Sequence, residues 1–294
     1  KYEFWSNFLH ILKHRNIPTY SVSSIFREDQ VFFKWYGRSY AGVLKCFTRF
    51  FVQNEESKRL LDGIGITAVD VVGDTRFDRV LQIKEAAKQL PICEAFRTGV
   101  ASSQSADVPH HDFKVFVAGS SWPPDENIFI PFFNEHKDWR LLIAPHVIAE
   151  EHLKLILSLI KGKKVVRYTQ TTPEEAAEAD VLIIDCFGLL SSMYNYGDVA
   201  YIGGGFGVGI HNTLEAAVWN MPVIFGPNNK KFQEAQGLLK SDGGFEINTN
   251  EDFSGLMSSL MNDEAFLKQA GDKAGAFVAH LAGATDKVLA SVKL

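Results

Sequence analysis

The chain has 294 residues, 46% of them hydrophobic, and a formal net charge of −5. That length and apolar content allow two domains with cores of their own, and the acidic balance argues against nucleic acid as the general partner. No apolar run reaches the ~18 residues that span a bilayer, and no signal-peptide pattern opens the chain. Three cysteines, Cys46, Cys93 and Cys186, lie far apart and outside any metal-ligand spacing, as expected of a reduced cytosolic protein. The first residues are Lys1-Tyr-Glu-Phe-Trp5, without methionine, so the chain is expected to be a piece of a longer one.

Residues 1–14 carry Phe4, Phe8 and Leu12 on one stripe, with Trp5 and Leu9 beside it, which predicts an amphipathic helix ended by Pro18. Thr19 to Ser23 alternates like a strand. The segment from Val31 to Phe51 is aromatic and basic. At helical spacing Lys34, Arg38, Lys45 and Arg49 fall within about 60° of one another. Phe32, Phe33, Trp35, Tyr36 and Tyr40 interleave with them. That composition suits a surface meeting anionic lipid headgroups; it also suits a solvated helix face packed on a core, and Gly37 and Gly42 weaken the single helix. Residues 50–53 predict a strand, the next stretch a helix through Leu61, and Val69 to Val72 a strand leading into Gly73-Asp-Thr-Arg76. These units make an incomplete first α/β domain over residues 1–100. Glu85 to Leu90 reads as helical and ends at Pro91, and the hinge is expected between residues 84 and 112.

The second domain, residues 101–272, is expected to alternate strands and helices. Lys114 runs as a strand into Gly119-Ser120-Ser121, with a helix after Pro123-Pro124. Arg140 to Ala144 is a strand ending in Pro145-His146, then a helix spans 150–161 and a strand Lys164 to Arg167. Thr172-Pro-Glu-Glu175 is a capping box. Val181 to Asp185 is a buried strand ending at Cys186-Phe187-Gly188, and Leu189 to Tyr196 is helical. After the glycine-rich unit treated next, a helix is expected over Asn229 to Leu239 and a strand over Phe245 to Ile247. Helices over 251–262 and 264–281 follow, and the C-terminal 273–294 is expected to pack back on the first domain. Alternation of this kind demands parallel sheets with right-handed crossovers.

Between these elements lies a strand, Val199 to Ile202, and then glycine at 203, 204, 205, 207 and 209. A helical pattern is expected to start at His211-Asn212, and Pro222 to Phe225 is a second buried strand. The glycines allow backbone N–H groups to close on a phosphate, helped by the helix start, or they make a tight turn with nothing bound. No dinucleotide fingerprint is present, because G-x-G-x-x-G would need glycine at Val208 or Ile210. Because Gly119-Ser120-Ser121, Pro145-His146, Phe187-Gly188 and the glycine stretch all follow strands, they are expected to line one cleft.

Phe51-Val-Gln-Asn-Glu-Glu-Ser57, Gly73-Asp-Thr-Arg-Phe-Asp78, Gly119-Ser-Ser121 and Gly203 to Pro227 with His211-Asn212-x-Leu214-Glu215 resemble the 3-deoxy-D-manno-octulosonic acid (Kdo) transferases. The resemblance implies a GT-B-like α/β fold of two Rossmann-like domains with parallel sheets, the N-terminal one incomplete here. It implies transfer of Kdo from CMP-Kdo to a lipid A precursor, inverting and without metal or cofactor, at the cytoplasmic face of the bacterial inner membrane. It also implies a membrane anchor and a catalytic acidic base in sequence that would precede Lys1. No catalytic residue is therefore expected in this chain, which should bind donor and transfer poorly.

By the same resemblance Gly204 and Gly205 receive the donor phosphate, helped by His211 and Asn212, which otherwise only cap a helix. Glu215 binds the ribose hydroxyls, or is a plain solvated glutamate. Gly119, Ser120 and Ser121 supply donors to the phosphate or carboxylate, or merely begin a helix. Phe187 and Gly188 meet the cytosine. Relatives carry Pro-Arg-His where this chain has Pro145-His146 preceded by Ala144, so the bidentate arginine is missing and His146 is its partial substitute or a simple loop histidine. Glu3 is expected to hold the acceptor sugar, and Lys34, Arg38, Lys45 and Arg49 to meet lipid A phosphates or membrane. Two other readings share the pattern: an enzyme like UDP-GlcNAc 2-epimerase, and a nucleotide-sugar or lipid-binding module without catalysis.

Overall fold

The computed structural model describes residues 4–100 and 113–292, with the backbone alone for Arg38 and Ser39. The chain divides into two compact units, one running to Arg79 and resuming at Leu281, the other from Val80 to His280. Both are built on parallel strands, and all recorded strand pairs are parallel.

In the first unit α1 (Ser6–His14) leads to β1 (Tyr20–Ser24), then α2 (Arg38–Leu44), β2 (Arg49–Val52), α3 (Glu55–Asp62) and β3 (Val69–Val71). The three strands pair in the order β1-β2-β3. Phe50, Val52, Leu60, Leu61 and Val69 are buried in its core, with Phe26 packed edge-on to Phe50. The side chain of Asn54 caps α3 by accepting from the Ser57 amide at 2.9 Å. The division between the units falls within α4 (Thr75–Glu85). A last helix, α14 (Ala284–Ser291), belongs to the first unit. Asp78 holds its start, accepting from the Gly283 amide and from the Thr285 amide and hydroxyl, both at 2.7 Å.

The segment from Val31 to Phe51 is not one helix. It makes two short 3-10 turns, Val31–Phe33 and Trp35–Gly37, before α2, and it ends in β2. The turns close so tightly that a Cβ on Gly37 would lie 1.6 Å from the Val31 carbonyl oxygen. The four basic residues therefore share no helical stripe.

The second unit opens with the rest of α4 and α5 (Pro91–Thr98), then β4 (Lys114–Ser121), α6 (Pro123–Glu135), β5 (Trp139–Pro145), α7 (Glu150–Leu159) and β6 (Val165–Arg167). It continues through α8 (Pro173–Ala177), β7 (Val181–Ile183), α9 (Leu190–Met193), β8 (Val199–Ile202), α10 (Leu214–Ala217) and β9 (Val223–Phe225). It closes with α11 (Gln233–Lys240), β10 (Gly244–Glu246), α12 (Asn250–Asn262) and α13 (Glu264–Leu281). The seven strands lie in the order β10-β9-β8-β4-β5-β7-β6. Helices cover both faces of such a sheet, which is why β4, β5, β7 and β8 read as continuous apolar runs rather than alternating ones. At its centre the Phe116 ring meets those of Phe129, Phe133, Tyr201 and Phe253.

The second unit starts some twenty residues earlier than composition suggests, at Val80 rather than at 101, and it keeps the chain through His280 rather than 272. The helix expected over Glu85 to Leu90 is not formed: α4 stops at Glu85, and Pro91 instead begins α5, which its fixed φ and missing N–H favour. The reason α5 joins this unit is a buried cation. Arg140 on β5 donates to the carbonyls of Phe96 and, at 2.8 Å, Ala177, with its guanidinium over the rings of Phe96 and Phe113. The hydroxyl of Tyr196 accepts from the Leu90 amide at 2.8 Å, and Lys84 donates to the Val218 carbonyl at 2.7 Å. Among the described residues no helix is long and apolar enough to cross a membrane.

Candidate functional site

The order in which the chain adds strands to the large sheet reverses at β4. From β4 the chain moves through β5 to β7 and β6 on one side, and from β8 through β9 to β10 on the other. The segments leaving β4 and β8 thus lie side by side at the carboxyl ends of adjacent strands, where open α/β sheets bind ligands. Contact between them is backbone to backbone. A Cβ on Gly203 would lie 2.2 Å from the Ser120 carbonyl oxygen and 2.6 Å from the Ser121 Cα. On the opposite flank a Cβ on Gly205 would lie 2.5 Å from the Gly226 nitrogen. Two of the five glycines are there for these close approaches, and Gly204 for its φ of 92°.

The glycine loop is closed by its own hydrogen bonds and clamped from two sides. The Gly204 carbonyl accepts from the amides of Gly207 and Gly209, each at 3.0 Å. Asn228, after β9, donates its amide to the Gly205 carbonyl at 2.9 Å and its side chain to the Gly207 carbonyl at 2.6 Å. Asp125, in the first turn of α6, accepts from the Gly204 amide at 2.9 Å. Among the described residues the N–H groups of Phe206, Val208, Asn212 and Thr213 meet no acceptor. Such amides can receive an anion.

Two histidines from different loops meet here. The His146 ring, after β5, stacks on Trp122 at 4.5 Å between centroids and lies 4.6 Å from the ring of His211. The Trp122 indole donates to His211 Nε2 at 3.4 Å. An indole N–H only donates, so His211 Nε2 is unprotonated and its proton sits on Nδ1. Burial, and next the nearby His146, hold the His211 imidazole below its ordinary value of 6.5. The folded state therefore takes this proton less readily than the unfolded chain does. Stability is unaffected above about pH 6.5 and is lost as pH falls from there through the folded value. Replacing His211 with asparagine is expected to flatten that acid limb, read as melting temperature against pH from 8 to 5.

The sequence bears out the first unit's likeness: residues 1–79 match the family model described as 3-deoxy-D-manno-octulosonic-acid transferase (kdotransferase). A 3-deoxy-D-manno-octulosonic acid transferase of Rickettsia typhi is 27% identical over 263 residues, covering 85% of this chain and 53% of its own length. One from Aquifex aeolicus is 31% identical over 159 residues, covering 52% of this chain and 43% of its own length. The chain resembles the Kdo transferases over most of its length. It spans about half the length of the curated relatives it matches. In structure the chain is similar to the C-terminal CMP-Kdo binding domain of WaaA from Acinetobacter baumannii, with a TM-score of 0.50 at 16% identity over 69% of this chain and 97% of that one. The fold is GT-B-like, of Rossmann-like parallel sheets.

In this Kdo transferase relative the expected donor residues take unequal places. Gly204, Gly205, Ser120, His146 and His211 gather at the reversal point. Gly119 does not face a ligand: a Cβ there would lie 1.9 Å from the Tyr194 hydroxyl, so its role is packing. Ser121 is fully buried and its hydroxyl donates to Glu126 at 2.8 Å, leaving it nothing to offer a donor. Pro145 is buried at the end of β5, in register with Ser121. Phe187 is 77% exposed after β7, beside Gly188 with φ 85°. The helix does not start at His211-Asn212. It is the four residues of α10, with the Asn212 side-chain oxygen accepting from the Leu214 amide at 3.2 Å, so its dipole is slight. Asn212 also donates to Glu215 Oε1 at 2.9 Å, which orients that half-buried carboxylate.

Sequence reading missed Trp122, Asp125, Glu126, His152 and Asn228. Glu126 is wholly buried. Besides Ser121 it meets His152 Nε2 at 2.9 Å, while His152 Nδ1 lies 2.8 Å from the Val147 carbonyl. A carbonyl only accepts, so Nδ1 is protonated, and a second proton lies between Nε2 and the carboxylate. Burial pushes the Glu126 carboxyl up, against the pull of His152. The pair ties the loop carrying His146 to the start of α6. An acidic pair behind Pro123-Pro124 looks like any charged first helical turn, so nothing local betrays the burial.

In the first unit Glu3 lies outside the described residues. Arg49 is on β2 and pairs with Asp70 of β3 at 2.7 Å. Lys45 is exposed at the end of α2 and Lys34 is half-buried between the 3-10 turns. Phe32 and Phe33 pack into the core, whereas Trp35, Tyr36 and Tyr40 are 85%, 60% and 63% exposed. Trp5, Phe8 and Ile11 of the α1 segment are exposed as well. Among the described residues no group of three or more His, Cys, Asp or Glu is placed to hold a metal.

Proposed function

We propose that the second unit binds CMP-Kdo and that the protein transfers Kdo to a lipid A precursor, with inversion and without metal, in lipopolysaccharide synthesis. The observation that carries the reading is the reversal-point site: a clamped glycine loop with unpaired amides, beside two histidines from separate loops. The leaving CMP phosphate would sit on the amides of Phe206 and Val208 and near Ser120, His146 and His211. There fixed donors stabilise developing negative charge without reorganising. Glu215, oriented by Asn212, would accept from the ribose hydroxyls, and the Phe187-Gly188 turn would border the cytosine. The match to the CMP-Kdo binding domain supports the fold of such a site.

The first unit would meet the acceptor and the cytoplasmic face of the inner membrane. Exposed Trp5, Phe8, Ile11, Trp35, Tyr36 and Tyr40, with Lys34 and Lys45 in the same unit, support a lipid-facing role. Arg49 lies on β2 of the same unit, its charge partly offset by its pairing with Asp70.

The same fold carries a second chemistry. UDP-GlcNAc 2-epimerase from Neisseria meningitidis, bound to UDP-GlcNAc, aligns with a TM-score of 0.58 at 14% identity over 96% of this chain and 72% of that one. Nucleotide choice separates the two. In titration calorimetry CMP is expected to bind and UDP-GlcNAc not. Tight UDP-GlcNAc binding with none of CMP would sink the proposal.

A further inference from the structure

We infer that Asp125 is the positioning residue of the candidate donor site, holding the backbones that leave β4 and β8 in the geometry that receives a nucleotide phosphate. The inference rests on the donor-site reading above. Asp125 is 1% exposed, so it cannot itself touch a ligand in solvent reach. Its Oδ1 accepts from the Tyr201 hydroxyl at 2.8 Å, and its Oδ2 from the amides of Gly204 and Trp122, each at 2.9 Å. One carboxylate therefore ties strand β8, the glycine loop and the entry to α6 to a single point.

Through Trp122 the effect reaches both histidines. With its backbone held by Asp125, the Trp122 ring stacks on His146 and donates to His211 Nε2. The chemistry favours a carboxylate at this place, since the two amides can only donate and the Tyr201 hydroxyl donates here as well. Asparagine could keep the two amides on its Oδ1 only by turning its N–H₂ to the Tyr201 hydroxyl and reversing that bond, and a neutral oxygen holds the amides more weakly than a carboxylate. A buried negative charge behind an anion site would by itself repel the anion. Its charge is absorbed by three donors, and what it contributes is a loop already in place before the ligand arrives.

The test uses the full chain with Asp125→Asn and Tyr201→Phe. In Asp125→Asn the Gly204, Gly207 and Gly209 amides are expected to exchange hydrogen roughly ten- to hundredfold faster. Amides of β4 and β5 should keep their protection. Imidazole nitrogen NMR should show His211 moving from the Nδ1–H form to a mixture, and CMP affinity should fall by a similar factor. Tyr201→Phe removes one donor only and should act in the same direction but less. Unchanged loop exchange and His211 tautomer in Asp125→Asn would overturn the inference. So would an equal loss of protection in the loop, β4 and β5, which marks a general stability role. If Asp125→Asn does not fold, Tyr201→Phe decides, and no effect on loop exchange or tautomer overturns it. Failure of the unaltered chain to bind CMP would refute the donor reading alone, because exchange and tautomer judge Asp125 without a ligand.

Discussion

His152→Ala is expected to destabilise the second unit by roughly 3–5 kcal/mol at pH 7, the range for leaving one partner of a buried pair uncompensated. The alanine removes the imidazole 2.9 Å from Glu126, whose side chain is wholly buried and keeps only the Ser121 hydroxyl as donor. It also frees the Val147 carbonyl, so the loop bearing His146 loosens. Burial already raises the Glu126 carboxyl above its ordinary 4.5, and loss of His152 removes a pull in the other direction. The folded variant then holds a proton that the unfolded chain has released. Its stability is accordingly greatest below about pH 4.5 and is lost as pH rises through the folded value of Glu126. Urea unfolding at pH 5 and pH 7 checks this: the deficit against the unaltered protein should be smaller at pH 5. Adding Glu126→Gln should recover part of it, and no recovery would mean the charge is not the cause.

The second large effect is expected at Gly203. Alanine there would drive its Cβ to 2.2 Å from the Ser120 carbonyl oxygen, and backbone cannot step aside as a flexible side chain can. We expect about 2–3 kcal/mol of destabilisation, at the upper end of overpacking costs. Because the strain sits where β4 and β8 deliver their loops, CMP binding should be lost as well. Gly207→Ala is the contrast. The nearest atom to its Cβ is the Gly204 oxygen at 3.9 Å, so melting temperature should hardly move. Thermal melts and CMP calorimetry on the two variants separate a loop that must be glycine from one that merely is.

These two sites show what was legible and what was not. Glycine density after Ile202 is visible in the chain, and so is its place after a buried strand. Which glycine is indispensable is not, because the atoms it must avoid belong to Ser120 and Gly226. His146 and His211 were readable as separate loop residues, and their meeting at 4.6 Å depends on β5 and β8 flanking β4. Asp125 and Glu126 gave no signal, since a carboxylate pair in a first helical turn is ordinarily solvated. The basic stripe failed for the opposite reason. A periodicity computed across Gly37, Gly42 and the start of β2 assumed a helix that backbone crowding at Gly37 and strand pairing of Arg49 forbid.

By itself the sequence determined the alternation of apolar strands and amphipathic helices, and with it the parallel sheets, because side-chain period and burial are local properties of the chain. Its motifs also carried the family likeness. Strand order came only with the tertiary structure, and strand order decides everything about the site. Reversal at β4 set the two loops side by side. It turned Ser121 and Gly119 inward against Glu126 and Tyr194, and brought Asp125 under the glycine loop. The physical reason is that a buried carboxylate or a backbone contact is defined by partners dozens of residues away, and no local pattern records them.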